Sequence, residues 1–149
     1  MGEITRRDLI LALVGAGTKP RLAGVDLSAT NLHRLDFEGA NMRGANFTAS
    51  NLQEAILRHT NMTGANLQVT QLPYADLSEA NLTVANASGA NLQGARLAKA
   101  NMTNMILNGA NLNGATLTGA NVAGLKFDEN TIWPDGKKGS QGNPGNYTS

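Results

Sequence analysis

The side chains able to carry acid–base or nucleophilic chemistry are few in this chain. His33 and His59 are its two histidines, the groups that would titrate nearest neutrality. Asp36 and Asp76 could pair as acid and base, since glycoside hydrolysis needs two carboxyl groups roughly 5–10 Å apart. Lys137-Lys138 is a basic run of two, too short to mark a nucleic-acid tract. The absence of cysteine excludes a thiolate nucleophile, a disulfide and a thiolate-held metal. Asn-x-Thr triplets such as Asn61-Met62-Thr63 match the glycosylation acceptor pattern. They follow from a repeat whose middle residue points inward, so glycosylation is not expected. No nucleophile, base and orienting group share a spacing that would bring them together. No catalytic, cofactor-binding or metal-ligating residue is therefore assigned, no cofactor is expected, and the chain is not read as an enzyme.

What could position such groups is set by composition. The 149 residues suit one domain. Aromatic residues make up 4% and charged residues 15%, and there are 17 glycines. With so little aromatic bulk, any core must be narrow and filled by Leu, Met and Ala. The net charge of +1 gives no global field that would favour nucleic acid or an acidic partner. No apolar run approaches the roughly 20 residues of a membrane helix.

One period governs most of the chain. Every fifth residue from Leu22 to Ile132 is apolar, and all three phenylalanines, Phe37, Phe47 and Phe127, fall in this column. Ala87 is its one small member. Two residues before each large residue stands a small one, usually Ala, with Thr30, Ser50, Thr60 and Thr70 as substitutes. Between them stands mostly Asn or Asp. Gly often follows two residues after the large one, as at Gly24, Gly44, Gly64, Gly94, Gly114 and Gly124. Neither a 3.6-residue nor a 2-residue period explains this. Within each five, small and large residues share one face of a short extended segment, and Gly suits a turn with φ > 0.

Opposite charges set the number of fives per coil. Arg34 and Glu54, Glu38 and Arg58, Asp76 and Arg96, and Glu79 and Lys99 each lie one interval of four fives apart. Opposite charges favour stacked positions on neighbouring strands. Four fives per coil make a square cross-section. The repeat then fills almost six coils, roughly 28 Å of rod at about 4.8 Å per coil.

The pattern A-[N/D]-L-x-x from Leu22 to Ile132 resembles the pentapeptide-repeat family. The segment Thr131-Ile132-Trp133-Pro134-Asp135-Gly136 is similar to the closing segment of many members. The resemblance implies an all-β solenoid, a right-handed quadrilateral β-helix, with large and small apolar residues inside. Some members bind type II topoisomerases by imitating DNA, which needs dense negative charge. Residues 21–132 carry seven basic against eight acidic groups, which disfavours that alternative. An enzyme or metal-dependent role ranks below it.

Further expectations follow from the pattern. Residues 1–20 form an N-terminal helix (about 4–15) and connection, 21–133 the β-helix, and 134–149 a loose, flexible tail. Thr5 caps the helix with Asp8 at its third position. Ile4, Leu9, Ile10 and Leu13 form the apolar face, and Gly15 and Gly17 end it. Thr5-Arg6-Arg7-Asp8-Leu9-Ile10 also looks like a twin-arginine export signal. The location is read as cytoplasmic, with export to thylakoid lumen or periplasm as the alternative. Met105 stands where Ala is usual, and is expected to fill the space above Ala87. The hydroxyls of Thr30, Ser50 and Thr70 point inward and need carbonyl partners. The column Asn41, Asn61, Asn81, Asn101 and Asn121 is read as a hydrogen-bonded ladder. Ile56, Val69, Tyr74, Val84 and Ile106 face outward. The chain is expected to be a non-catalytic structural or protein-interaction module. Its expected partner is a protein, not nucleic acid or membrane, and its own state a monomer or a weak end-to-end dimer.

Overall fold

The computed structural model describes residues 5–16 and 19–149. Parallel bridges join Arg21 to Asn41, Asp26 to Asn46, Asn31 to Asn51 and Asp36 to Ile56, and the same interval repeats along the rod. Each coil therefore takes four fives, as the charge spacing predicts. Four sides result. Side I carries Asn41 to Asn121, side II Asn46 to Lys126, side III Asn51 to Asn111, and side IV Ile56, Asp76, Arg96 and Thr116. Coils are numbered from residue 21 in twenties.

Backbone hydrogen bonding explains the five-residue grammar. In the five 61–65 every N–H has a partner. Asn61 donates to the Ala40 carbonyl of the coil below (3.0 Å), and Met62 and Gly64 to Asn81 and Thr83 of the coil above (2.8 and 2.9 Å). Ala65 closes the corner onto Met62 (3.0 Å). That leaves the Thr63 N–H, which donates to Asn61 Oδ1 (3.1 Å). The outward Asn thus satisfies the one donor that the coil geometry would orphan. Where Gln71 replaces it, the donor position is Pro73, which has no N–H to satisfy.

Inside, the large residues pile up from coil to coil and are almost wholly buried between Leu27 and Leu117. Each fully buried Leu or Met contributes about 1.5–3 kcal/mol relative to an exposed one. Met105 and Ala87 are both fully buried, so the extra volume of one and the deficit of the other both lie inside the core. The inward hydroxyls find carbonyls: Ser50 donates to Phe47 (2.7 Å), Thr70 to the same carbonyl one coil below (2.8 Å), and Thr30 to Ser28 (2.9 Å).

Two expectations about the end of the repeat need correction. The phase does not hold to Ile132. Asn111 bridges to Ile132, one residue beyond the usual interval, so Ile132 sits at the outward position. Trp133, fully buried, takes the core place that the periodicity assigns to Ile132. The extra residue is absorbed at Asp128-Glu129-Asn130. In other coils the corner N–H meets the carbonyl nineteen residues on, as Gly89 does with Asn108 (2.8 Å). Gly109 instead donates to the side-chain Oδ1 of Asp128 (2.9 Å), and Thr131 Oγ1 bonds the Leu107 carbonyl (2.8 Å).

The second correction concerns residues 134–149, expected to hang loose. They fold back over the last coil. Ile132 and Lys138 pair antiparallel, short 3-10 turns form at Gly139–Gln141 and Pro144–Tyr147, and Gly119 donates to the Thr148 carbonyl (2.7 Å). Trp133 anchors them. Its Nε1 donates to the Gly139 carbonyl (2.7 Å), Phe127 meets its ring edge-on at 5.0 Å, and Tyr147 stacks on it at 5.8 Å. Gly142 packs against the indole, where a Cβ would clash with Trp133 Cδ1. A low-complexity composition hides this, because the anchoring comes from one aromatic cluster and small residues that fit beneath it.

At the other end lies helix α1, Arg6–Ala16. Thr5 Oγ1 accepts the Asp8 N–H (3.1 Å), the cap expected from the sequence. Leu9 is fully buried, while Ile10 is 37% exposed and does not share the apolar face assigned to it. Ile4 and Gly17 lie outside the described residues, and Gly15, expected to end the helix, lies within it, since α1 runs on to Ala16. Arg6 Nη1 and Nη2 donate to the Asn31 and His33 carbonyls (both 2.9 Å). Those carbonyls are the ones that a preceding coil would occupy, as Asn51 and Gln53 receive Leu32 and Arg34. One guanidinium therefore stands in for the missing coil on side III.

Candidate functional site

The sequence-derived candidates can now be placed. His33 lies at a side III–IV corner in coil 1, with Nδ1 2.6 Å from Asn31 Oδ1. His59 lies at a side IV–I corner in coil 2, 3.7 Å from Glu79 Oε2. Asp36 and Asp76 share side IV, with Ile56 bridging to both from between them. Their Oδ1 atoms accept the N–H groups of Glu38 (2.9 Å) and Ser78 (3.1 Å), so each acts as the local cap described above. Lys137 pairs with Asp135 at 3.3 Å. The two histidines thus stand at different corners in different coils, and the two aspartates stack on side IV two coils apart. Among the described residues, no group of three or more His, Cys, Asp or Glu could hold a metal ion.

The charge pairs partly re-sort. Arg34 Nε meets Glu54 Oε2 at 3.0 Å and Arg58 meets Glu38 at 3.3 Å, as expected. Asp76 instead faces Arg58 at 3.8 Å, and Glu79 faces His59, so both turn toward the coil below rather than toward Arg96 and Lys99. The register behind the expectation stands, because Asp76 does bridge to Arg96. Exposed pairs of this kind contribute about 0–1 kcal/mol each.

The Asn column also differs from its expected form. Along Asn61, Asn81 and Asn101, each Oδ1 accepts within its own coil, from the Thr hydroxyl two residues on (2.6–2.7 Å) and from the N–H at that residue. Amide bonds between coils occur elsewhere: Asn91 Nδ2 to Gln71 Oε1 (3.1 Å) and Asn46 Nδ2 to Asp26 Oδ1 (3.3 Å). Corner strength at each level therefore takes precedence over a vertical ladder.

Some carboxyls titrate away from their usual range. Hydrogen bonds from the Ser28 side chain and backbone lower Asp26. The Gly109 N–H lowers Asp128. Desolvation, then the bond to Asp135, raises Tyr147. These shifts belong to the hydrogen bonds of corners and of the C-terminal closure.

The large outward apolar residues stand on different corners: Val69 between sides II and III, Tyr74 between III and IV, and Val84 between I and II. Val69, Tyr74 and Val84 are 51%, 61% and 49% exposed. Ile56 and Ile106 are only half-buried neighbours of their coils. All three exposed residues occupy left-handed corner positions, at φ 48, 58 and 53°. Among the described residues twelve glycines and eleven other residues, Ala29, Arg34, Glu54 and Lys99 among them, adopt the same handedness, and an L-residue there costs about 1–2 kcal/mol. A β-branched residue there is an outlier. The Tyr74 ring lies against Gly94, where any Cβ would collide with it, and Val69 Cγ1 would lie 3.1 Å from a Cβ on Gly89. Glycine corners in coil 4 thus seat the side chains projecting from coil 3.

A cleft of about 980 Å³ opens between α1 and the first coil, lined by Ala12, Leu13, Lys19, Pro20, Arg21, Leu22, Ala23, Gly39 and Asn41. Among the described residues that line it there is no acid and neither histidine.

The model of the pentapeptide repeats matches residues 21–58, 40–72, 60–98 and 95–129, in eight copies. No curated protein matches the chain significantly. Among solved structures, a pentapeptide repeat protein from the Arabidopsis thaliana thylakoid lumen is 33% identical. The match covers 80% of this chain and 74% of that one, with a TM-score of 0.55. HetL, a pentapeptide repeat protein involved in heterocyst differentiation regulation from the cyanobacterium Nostoc sp. strain PCC 7120, is also 33% identical. It is matched over 80% of this chain and 64% of that one, at a TM-score of 0.48. Rfr23 from the cyanobacterium Cyanothece 51142 is 30% identical over 84% of this chain and 97% of that one, at 0.46. The family model spans well over half of the chain, and its five-residue unit is the unit that the hydrogen bonds define, so this chain belongs to the pentapeptide-repeat family.

Proposed function

We propose that the chain is a non-catalytic structural or protein-interaction module: a rigid rod whose sides are the working surface. In this reading the coil is a right-handed quadrilateral β-helix, α1 caps its N-terminal end, and 134–149 close the other. The observation that carries it is the exposure of the large apolar side chains of Val69, Tyr74 and Val84 on the outside of the rod. The distributed histidines and aspartates support the non-catalytic half of the reading.

The test is comparative capture from native lysate with wild-type rod and with Val69, Tyr74 and Val84 all changed to Asn. A partner retained by the wild type and lost by the variant is the expected result. Turnover of any substrate that disappears on changing His59 or Asp76 would overturn it. We also propose a cytoplasmic location. The bonding of Arg6 to Asn31 and His33, and the burial of Leu9, support a folded role for the arginine pair's segment. Sequencing the mature N-terminus from native cells checks this: a cleavage after residue 16 would refute it.

A further inference from the structure

The first coil lacks the neighbour below that every later coil has. In coil 2, side I is closed on that face. The Asn41 N–H donates to the Pro20 carbonyl (2.8 Å), and the Asn41 and Arg43 carbonyls accept from Leu22 and Gly24 (2.7 and 2.9 Å). In coil 1 the equivalent groups are served unequally. On side III the Asn31 and His33 carbonyls accept from Arg6, and on side II the Ser28 carbonyl accepts from Thr30 Oγ1. On side I, among the described residues, the Arg21 and Ala23 carbonyls have no donor and the Arg21 N–H has no acceptor. Side IV is likewise open at the Asp36 and Glu38 carbonyls. Side I differs because its edge adjoins the cleft, which Arg21, Leu22 and Ala23 line together with Leu13 of α1, Lys19 and Pro20. An open strand edge beside apolar side chains is a template for one more strand.

We propose that this edge receives an extended, acidic peptide segment of a partner protein, added beneath side I in the place of a preceding coil. Transposed one coil down, the bonds of Asn41 and Arg43 fix its register. The segment runs parallel to residues 21–24. Its first residue accepts the Arg21 N–H, and its third and fifth donate to the Arg21 and Ala23 carbonyls. Its second side chain then stands below Arg21, where a carboxylate is favoured. Its third turns inward below Leu22, where an apolar side chain is favoured. The charge of the cleft makes the same selection. Lys19 and Arg21 are exposed, neither forms an ion pair among the described residues, and none of those lining the cleft is an acid. A fatty-acid anion would satisfy the cations and the apolar wall, but it offers no donor to the two carbonyls. The site lies in coil 1, whereas Val69, Tyr74 and Val84 lie in coils 3 and 4, so its failure would leave the reading of the sides intact.

The probe is a fluorescein-labelled peptide, Ser-Ala-Asp-Leu-Ser-Gly-Ser with a blocked C-terminus, titrated with the full chain up to millimolar concentration and followed by anisotropy. The wild type is expected to bind it, and amide exchange at the Arg21 N–H is expected to slow on binding. A peptide N-methylated at its Leu, which removes one donor, should bind about tenfold more weakly. Arg21→Glu should lose the Asp peptide and gain the peptide with Lys in place of Asp. Arg96→Glu, on side IV, should bind like the wild type. Decanoate should not displace the peptide. The proposal is overturned if the wild type binds no peptide, if the N-methylated peptide binds equally well, or if the Lys peptide fails to bind Arg21→Glu. Displacement by decanoate would reassign the cleft to an anionic amphiphile and overturn it as well.

Discussion

Left-handed backbone at each corner makes the corner residue the point where local cost and neighbouring coils meet. Gly64 has open space where a methyl group would stand, whereas one at Gly94 would strike the Tyr74 ring. Gly64→Ala should therefore lose only the conformational preference, about 1 kcal/mol. Gly94→Ala should lose more, by about another 1 kcal/mol or so, as the ring is displaced. Urea denaturation of the two variants compares them directly, and equal losses would show that Tyr74 is not seated on the glycine. Asp128 makes a different prediction. Its carboxylate accepts the Gly109 N–H, which holds its folded pKa below the ordinary 3.8. A depressed acid contributes stability that is present above its unfolded pKa and fades as pH falls through the folded one. Asp128→Asn keeps an acceptor but loses the titration, so its melting temperature should fall less than that of the wild type between neutral pH and pH about 3. Identical acid sensitivity would remove Asp128 from the account.

At the scale of the element, the five-residue unit was legible because its chemistry is local. Leu52, Leu72 and Leu92 must face inward, and no distant contact can change that assignment; the outward Asn, read as a ladder between coils, shows its role as the cap of its own corner only in the hydrogen bonds. The ends were not legible for the opposite reason. Trp133 replaces Ile132 in the core because of one extra residue at a turn, and sliding Thr131 to the inward position preserves its polar and apolar pattern almost as well. Nothing in Lys137 to Ser149 announces that Gly139, Gly142 and Tyr147 would find the indole. Nor does Arg6 reveal its two carbonyl partners 25 and 27 residues away. The closure rests on that one ring. Trp133→Ala should cost about 3–5 kcal/mol and release residues 134–149, seen as faster amide exchange at Gly139 and Gly119. A loss of stability with protection retained at Gly119 would mean that the segment docks without the indole.

The whole molecule behaves as a stack of near-equivalent layers, so stability is expected to be roughly a sum of coil terms and nearest-neighbour terms. Removing residues 61–80 deletes one full coil, keeps the phase, and leaves Met105 above Ala87. The shortened chain should fold, with the rod shorter by about 4.8 Å in solution scattering. Removing 61–79 breaks the phase and should not fold cooperatively. If both deletions behaved alike, the layered description would be wrong. The candidate surface was only half readable at this scale. The outward apolar residues could be counted from the phase, but the left-handed strain at Val69 and Val84 needs backbone angles. The seating of Tyr74 needs side-chain directions, which periodicity does not supply.

The one-residue shift at Asp128 also bears on how such a chain can lengthen. Tandem gene duplication of any twenty-codon stretch between residue 21 and the shift yields another valid storey, because the carboxylate still finds a corner amide beneath it. Downstream, the same event would separate the indole from the lid that it holds. New length can therefore be inserted only below the shift, and the terminal architecture is inherited intact while the number of storeys drifts.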